Sequence, residues 1–222
     1  MEKVTEFVNL NIWSIVFALL IIKYSIQFYS TILTRKQKII LRGKPYIHSA
    51  IIWIIALSIF GVLILNHDRV YNHFSGVLIL FVAIILGITG ILRLGRNYNE
   101  DLAIYENSKL IKKGVFGIIR HPIRLGVCLE VLSFTVFINS IYILPLQLMY
   151  LYLNYKRTIK EEEFLMTAFD GEAKEYFTEV PRFNLIKGFL RKLMSLLQHL
   201  QVHLRLEQTN HKNLKLRKST LI

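Results

Sequence analysis

The sequence predicts an all-α fold: a polytopic membrane helix bundle of about five transmembrane helices. Three observations carry this. Apolar residues make up 53% of the 222-residue chain and charged residues only 19%, with a mean hydropathy of +0.41, which is more apolar than a soluble domain of this length. The apolar residues collect in runs near the roughly 20 residues needed to cross about 30 Å of hydrocarbon. Basic residues fall in alternate connections, as the positive-inside rule requires.

The first predicted span is Asn11 to Leu33, broken only by Lys23. With no small-residue cleavage site after it, it reads as a retained span and not a signal peptide. The second is Ile47 to Asn66. The third is Ser75 to Leu94, where Gly87 and Gly90 permit close helix approach. A polar stretch from Arg93 to Arg120 follows. The apolar run from Pro122 to Leu153 is too long for one span and short for two, so Asn139-Ser140 and Pro145 predict a break and a hairpin of two short helices. Arg35, Lys36, Lys38, Arg42 and Lys44 follow the first span, whereas the connection from Asn66 to Phe74 holds only Arg69. The third connection and Lys156-Arg157 are basic again. This places the N-terminus outside and the C-terminus in the cytoplasm, and five crossings bring the segments around His121 and Glu161 to one side.

From Leu185 the pattern changes. Ile186, Leu190, Leu193, Leu197, Leu200 and Leu204 recur at helical spacing, and from Asn184 onward eight Lys/Arg face one acid, Glu207. That predicts a basic amphipathic helix on the inner leaflet, with self-association through the leucine stripe as the competing reading. The last ten or so residues are read as disordered. The chain divides into residues 1–96, a transmembrane part; 97–184, the core with the hairpin; and 185–222, the tail. The net charge of +13 sits between and after apolar runs, so membrane lipids are the expected partner and nucleic acid is not. Cys128 alone supports neither a disulfide nor a zinc site. His199 and His203 have no accompanying carboxylate, so no metal is assigned.

Two segments carry chemistry. In the first, Gly114 to Gly126, Pro122 suits the first position of a helix, and the helix start beside Arg120 and His121 suits an anion. The same residues equally suit headgroup anchoring. In the second, Glu161, Glu162 and Glu163 follow a span directly, in a chain poor in acids. Consecutive helical residues point about 100° apart, so one carboxylate faces the bundle while another faces water. Glu130, within the apolar run, is a further ionisable group at membrane depth, paired with Lys23 or protonated.

Gly114, Phe116, Arg120, His121, Pro122 and Gly126, followed by Glu161, Glu162, Leu165, Phe169, Tyr176, Val180, Pro181 and Arg182, resemble the isoprenylcysteine carboxyl methyltransferase family, itself related to the phospholipid N-methyltransferases. The resemblance spans about residues 108 to 184. It implies an S-adenosylmethionine-dependent membrane methyltransferase with a cofactor pocket at the cytoplasmic face and a lipophilic small-molecule or lipidated substrate entering from the bilayer. By that resemblance Gly114, Phe116, Arg120, His121, Pro122, Gly126, Glu161, Glu162 and Tyr176 are the candidate cofactor contacts. His121, Glu162 and Arg182 are the candidate catalytic residues. The alternatives are a phospholipid N-methyltransferase and a non-catalytic membrane member of the family. The sequence departs from the pattern at Arg124, where tyrosine is common, at Gly117, at Asp170, which stands at a usual glycine, and at Ala173.

Overall fold

The computed structural model describes residues 2–43, 49–65, 73–98, 102–106, 108–198 and 201–203. Its helices are α1 (Glu2–Arg35), α2 (Ser49–Leu65), α3 (His73–Leu94), α4 (Pro122–Ile138), α5 (Leu144–Glu179) and α6 (residues 185–198). Among the described residues, α1 over Val16–Arg35 and α3 over Phe74–Asn97 are long and apolar enough to cross a bilayer. The helix α2, also apolar, has 17 residues.

The α4–α5 hairpin turns where the sequence expects it. Asn139 takes the left-handed conformation (φ 49°) and caps α4 through its N–H to the Thr135 carbonyl, a role that asparagine tolerates. Pro145 sits in the first turn of α5, where its missing N–H costs nothing. The hairpin is not made of two short helices, however. The apolar run stops at Leu153, but α5 continues for 36 residues in all, because Lys, Glu, Leu, Met and Ala sustain a helix in water. It kinks at Asp170, whose φ of 35° is non-helical.

The fold also departs from a purely α architecture. Strands β1 (Ile39–Arg42) and β2 (Ala103–Tyr105) form an antiparallel ribbon. All four residues of β1 are exposed, so no alternating pattern announced the strand. The ribbon, the end of α1 and the end of α3 meet at one end of the bundle, where Gln37 Nε2 donates to the Arg96 carbonyl at 2.8 Å.

The core lies among α2, α3, α4 and the start of α5, built on Ile59, Leu63, Leu80, Phe134, Phe137 and Tyr150, with Val16 and Leu20 of α1. Helices α3 and α4 run antiparallel at very short range. A Cβ on Gly126 would stand 2.7 Å from the Ala83 carbonyl oxygen, and one on Gly76 would strike the Phe137 ring. Backbone contact of this kind is the small-residue packing of helices in lipid. Outward, Phe28, Leu57, Trp53, Phe81 and Leu92 are exposed, an apolar surface far beyond what a soluble monomer presents.

The sixth helix turns its Gly188 inward and leaves Ile186, Leu190, Leu193 and Leu197 exposed. His199, Leu200, Leu204, Arg205, Glu207 and the final residues expected to be disordered lie outside the described residues, as does Arg69.

Candidate functional site

The first motif is held by backbone and by its neighbours more than by its own secondary structure. Gly114 opens a short 3-10 turn, Gly114–Gly117, with φ of 69°. A side chain there would be strained. The chain then crosses to Pro122, the first residue of α4, and α4 has no side-chain cap at its N-terminus. Two backbone hydrogen bonds stitch this segment to the second motif: Arg120 N–H donates to the Pro181 carbonyl (3.0 Å) and His121 N–H to the Arg182 carbonyl (3.4 Å). The Tyr176 hydroxyl donates to the Phe116 carbonyl at 2.7 Å. From the tail, Arg191 donates to the Gly117 carbonyl, and Gly188 packs so closely on Ile118 that any Cβ would overlap its carbonyl.

Glu162 is the hub of the site. Its Oε1 accepts from Arg182 Nε at 3.0 Å and its Oε2 from Arg182 Nη2 at 2.5 Å, a forked pairing that arginine alone provides. His121 Nε2 lies 3.0 Å from Oε1 and is the donor there, since a carboxylate only accepts. Arg120 Nη1 stands 3.4 Å away. Burial pushes the Glu162 carboxyl up, but the hydrogen bonds from His121 and Arg182, with the charges of His121 and Arg120, outweigh it together and hold the group at about 2. Arg182 also donates to the Tyr155 hydroxyl at 3.2 Å, and Arg120 lies over the Phe177 ring at 4.7 Å.

Glu161, one residue earlier, points elsewhere. It accepts from Arg124 Nε at 3.3 Å. Burial acts to raise its carboxyl, but the charges of Arg124, His121 and Arg157 bring it below the usual value. Glu163 is exposed. The glutamate run thus divides into an inward group, a cavity group and a solvated group.

The cavity has a volume of about 590 Å³. One end is polar, with Arg120, His121, Arg124, Arg157 and Glu161; the other is apolar, with Phe17, Leu20, Trp53, Leu57, Phe60 and Phe134. Phe116 and Pro122 also line it. Gly114, Gly126, Glu162, Tyr176 and Arg182 stand behind the wall. Gly126 packs α4 on α3, and Gly114 lies against Arg93. Glu130 reaches the cavity from α4, pairs with Lys23, and accepts from the Tyr24 hydroxyl at 2.7 Å.

Sequence reasoning passed over Asn154 and Tyr150 and gave Arg157 no role at the site; all three line the cavity with Glu161. Their spacing of four, three and four is one face of a helix, a signal present in the sequence. Tyr24 and Gln27, polar positions within an apolar span, carry the same message for α1.

The polar end of the cavity carries groups that suit a small charged molecule. Arg120 is largely buried, and its Nε has no hydrogen-bond partner among the described residues. Beside it stand an uncapped helix start, a carboxylate and the Phe116 ring, which are the donor, acceptor and aromatic surfaces that an amino-acid carboxylate, a ribose and a sulfonium require.

Comparison with known proteins bears on the same region. A search of curated proteins returns no match. The structure of a eukaryotic intramembrane Ras methyltransferase, an isoprenylcysteine carboxyl methyltransferase, shares this fold with a TM-score of 0.61 at 20% identity, over 81% of this chain and 68% of that one. Residues 76–168, which hold most of α3, the Arg-His-Pro segment, α4 and the glutamates of α5, match the model of the isoprenylcysteine carboxyl methyltransferase family.

Proposed function

We propose that the chain is a membrane methyltransferase that uses S-adenosylmethionine to methylate a carboxylate on a lipophilic acceptor, of the isoprenylcysteine kind. The observation that carries this is the continuous cavity, in which a wall of Arg120, His121 and Glu161 opens onto an apolar chamber between α1, α2 and α4. One half suits a charged cofactor and the other a hydrocarbon chain.

Arg120 and the first turn of α4 would hold the cofactor's carboxylate, Glu161 its hydroxyls or ammonium, and Phe116 would face the sulfonium. The cofactor supplies an already activated methyl group. The chain's residues therefore bind, align and exclude water. Glu162 holds Arg120, His121 and Arg182 in place from behind the wall. A carboxylate acceptor is ionised at neutral pH and needs no base; with an amine acceptor, His121 is the cavity group able to take the proton.

In this reading residues 1–96 supply the lipid-facing wall, 97–184 the methyltransferase core and 185–222 the tail. The five helices α1–α5 each cross the bilayer, α5 with its first half. The site and the C-terminus are cytoplasmic, and the exposed leucine face of α6 rests on the inner leaflet.

Calorimetry on the detergent-purified full chain tests the reading. Wild type is expected to bind S-adenosylmethionine in the micromolar range. Arg120→Gln and Glu161→Gln are each expected to weaken binding by about tenfold or more, the loss of one charged hydrogen bond. A folded, monodisperse wild type that binds none of it removes the reading.

A further inference from the structure

Arginines dominate the polar end of the cavity. Three guanidinium groups, Arg120, Arg124 and Arg157, line the wall with two carboxylates, Glu130 and Glu161. Glu130 is already paired with Lys23, and Glu161 is paired with Arg124. Arg120 is turned toward Glu162.

Arg124 lacks a full complement of acceptors among the described residues. Its side chain is only 20% exposed. Among the described residues its guanidinium makes one hydrogen bond, from Nε to Glu161. A guanidinium carries five N–H donors in a fixed fork, and the two terminal amino groups are the pair that grips a carboxylate or phosphate side-on. Here those amino groups have no protein acceptor among the described residues. The residue lies beside Val127, Val131 and Phe134 of the same helix, which line the apolar chamber. A molecule whose hydrocarbon chain fills that chamber brings its head to Arg124.

We propose that Arg124 is a specificity-determining residue that receives an anionic group, carboxylate or phosphate, on the lipophilic acceptor. The Arg124 guanidinium disfavours an acceptor whose head is a bare ammonium. This rests on the reading that the chamber holds a lipid acceptor, but it does not depend on methyl transfer.

The experiment measures ligand binding to the full chain in detergent, without cofactor, through calorimetry and the fluorescence of Trp53, which lines the chamber. Three probes share one prenyl chain: an N-acetyl-S-prenylcysteine acid, its neutral methyl ester, and a prenyl monophosphate. Wild type is expected to bind at least one anion about tenfold or more tighter than the ester, as a charge-assisted pair provides. The acid or the phosphate binding tighter identifies the source of the anion. Arg124→Gln is expected to bring that ratio close to one while leaving the ester's affinity unchanged, and Arg124→Lys to retain part of it. An unchanged ratio in Arg124→Gln, or an equal loss for ester and anions, overturns the proposal. Should Arg124→Gln not fold, Glu161→Gln releases Arg124 from its one carboxylate and is expected to tighten the anion; no tightening overturns the proposal equally. A chain that discriminates anions but binds no S-adenosylmethionine would sink the methyltransferase reading and leave this one standing. The reverse result would sink this one alone.

Discussion

Glu162 and Asp170 show what one residue can hold in place and what it can strain. With its carboxyl held at about 2 against an ordinary value of 4.5, Glu162 contributes stability that is full above about pH 4.5 and is lost as pH falls toward 2. Thermal unfolding in detergent from about pH 6 down to about pH 3 is therefore expected to show a steeper decline in wild type than in Glu162→Gln. Glu162→Gln also leaves Arg120, His121 and Arg182 without their shared anion, so its stability at neutral pH is expected to be lower than wild type. Asp170 sits at φ 35°, a conformation that costs a side chain roughly 1–2 kcal/mol. Asp170→Gly is expected to raise stability by about 1 kcal/mol in a denaturant or thermal titration. An unchanged midpoint would mean the kink is not strained. At this scale the sequence was readable in kind but not in direction. The scarcity of acids marked Glu161 and Glu162, yet which of them meets the cavity depends on how α5 is rotated against α4, and no local pattern encodes that rotation.

Among the elements, the tightest constraint is the α3–α4 pair. With a Cβ only 2.7 Å from the Ala83 carbonyl, Gly126→Ala is expected to force the helices apart and cost about 1–3 kcal/mol. The check is the loss of unfolding midpoint relative to Gly171→Ala, where a Cβ meets nothing within 4 Å. The glycines of α3 predicted such an approach from the sequence, but their partner was not evident until α4 was seen to lie against them. The α4–α5 turn was legible because Asn139 and Pro145 have strong backbone preferences. The β1–β2 ribbon was not, because both strands are short and pair through backbone groups whatever their side chains. The length of α5 was hidden by a change of solvent: its first part is apolar and its second polar, so the apolar run marked only the first part of the helix.

For the whole molecule the bilayer is the decisive solvent. Lys23 and Glu130 are buried against each other between α1 and α4. Removing one partner strands a charge, and Lys23→Met is expected to cost about 3–5 kcal/mol, whereas Lys23→Met with Glu130→Leu recovers most of that loss. Thermal melts of the single and double variants measure it; a double variant no better than the single would show that the pair does more than neutralise itself. The helical character of the bundle was legible because long apolar runs leave so few backbone solutions in hydrocarbon. The cavity was not, since it is a property of side chains drawn from five helices far apart in the chain.

The seam between residues 120–121 and 181–182 sets an order of events during synthesis. Arg120 and His121 leave the ribosome some forty residues ahead of Glu162 and sixty ahead of Pro181 and Arg182, the groups that satisfy them. A nascent chain that ends before the second half of α5 therefore holds Arg120 and His121 without Glu162, and the cluster closes only when the end of α5 arrives and its backbone is tied in. The wall of the cavity is the last part of the polypeptide to be completed.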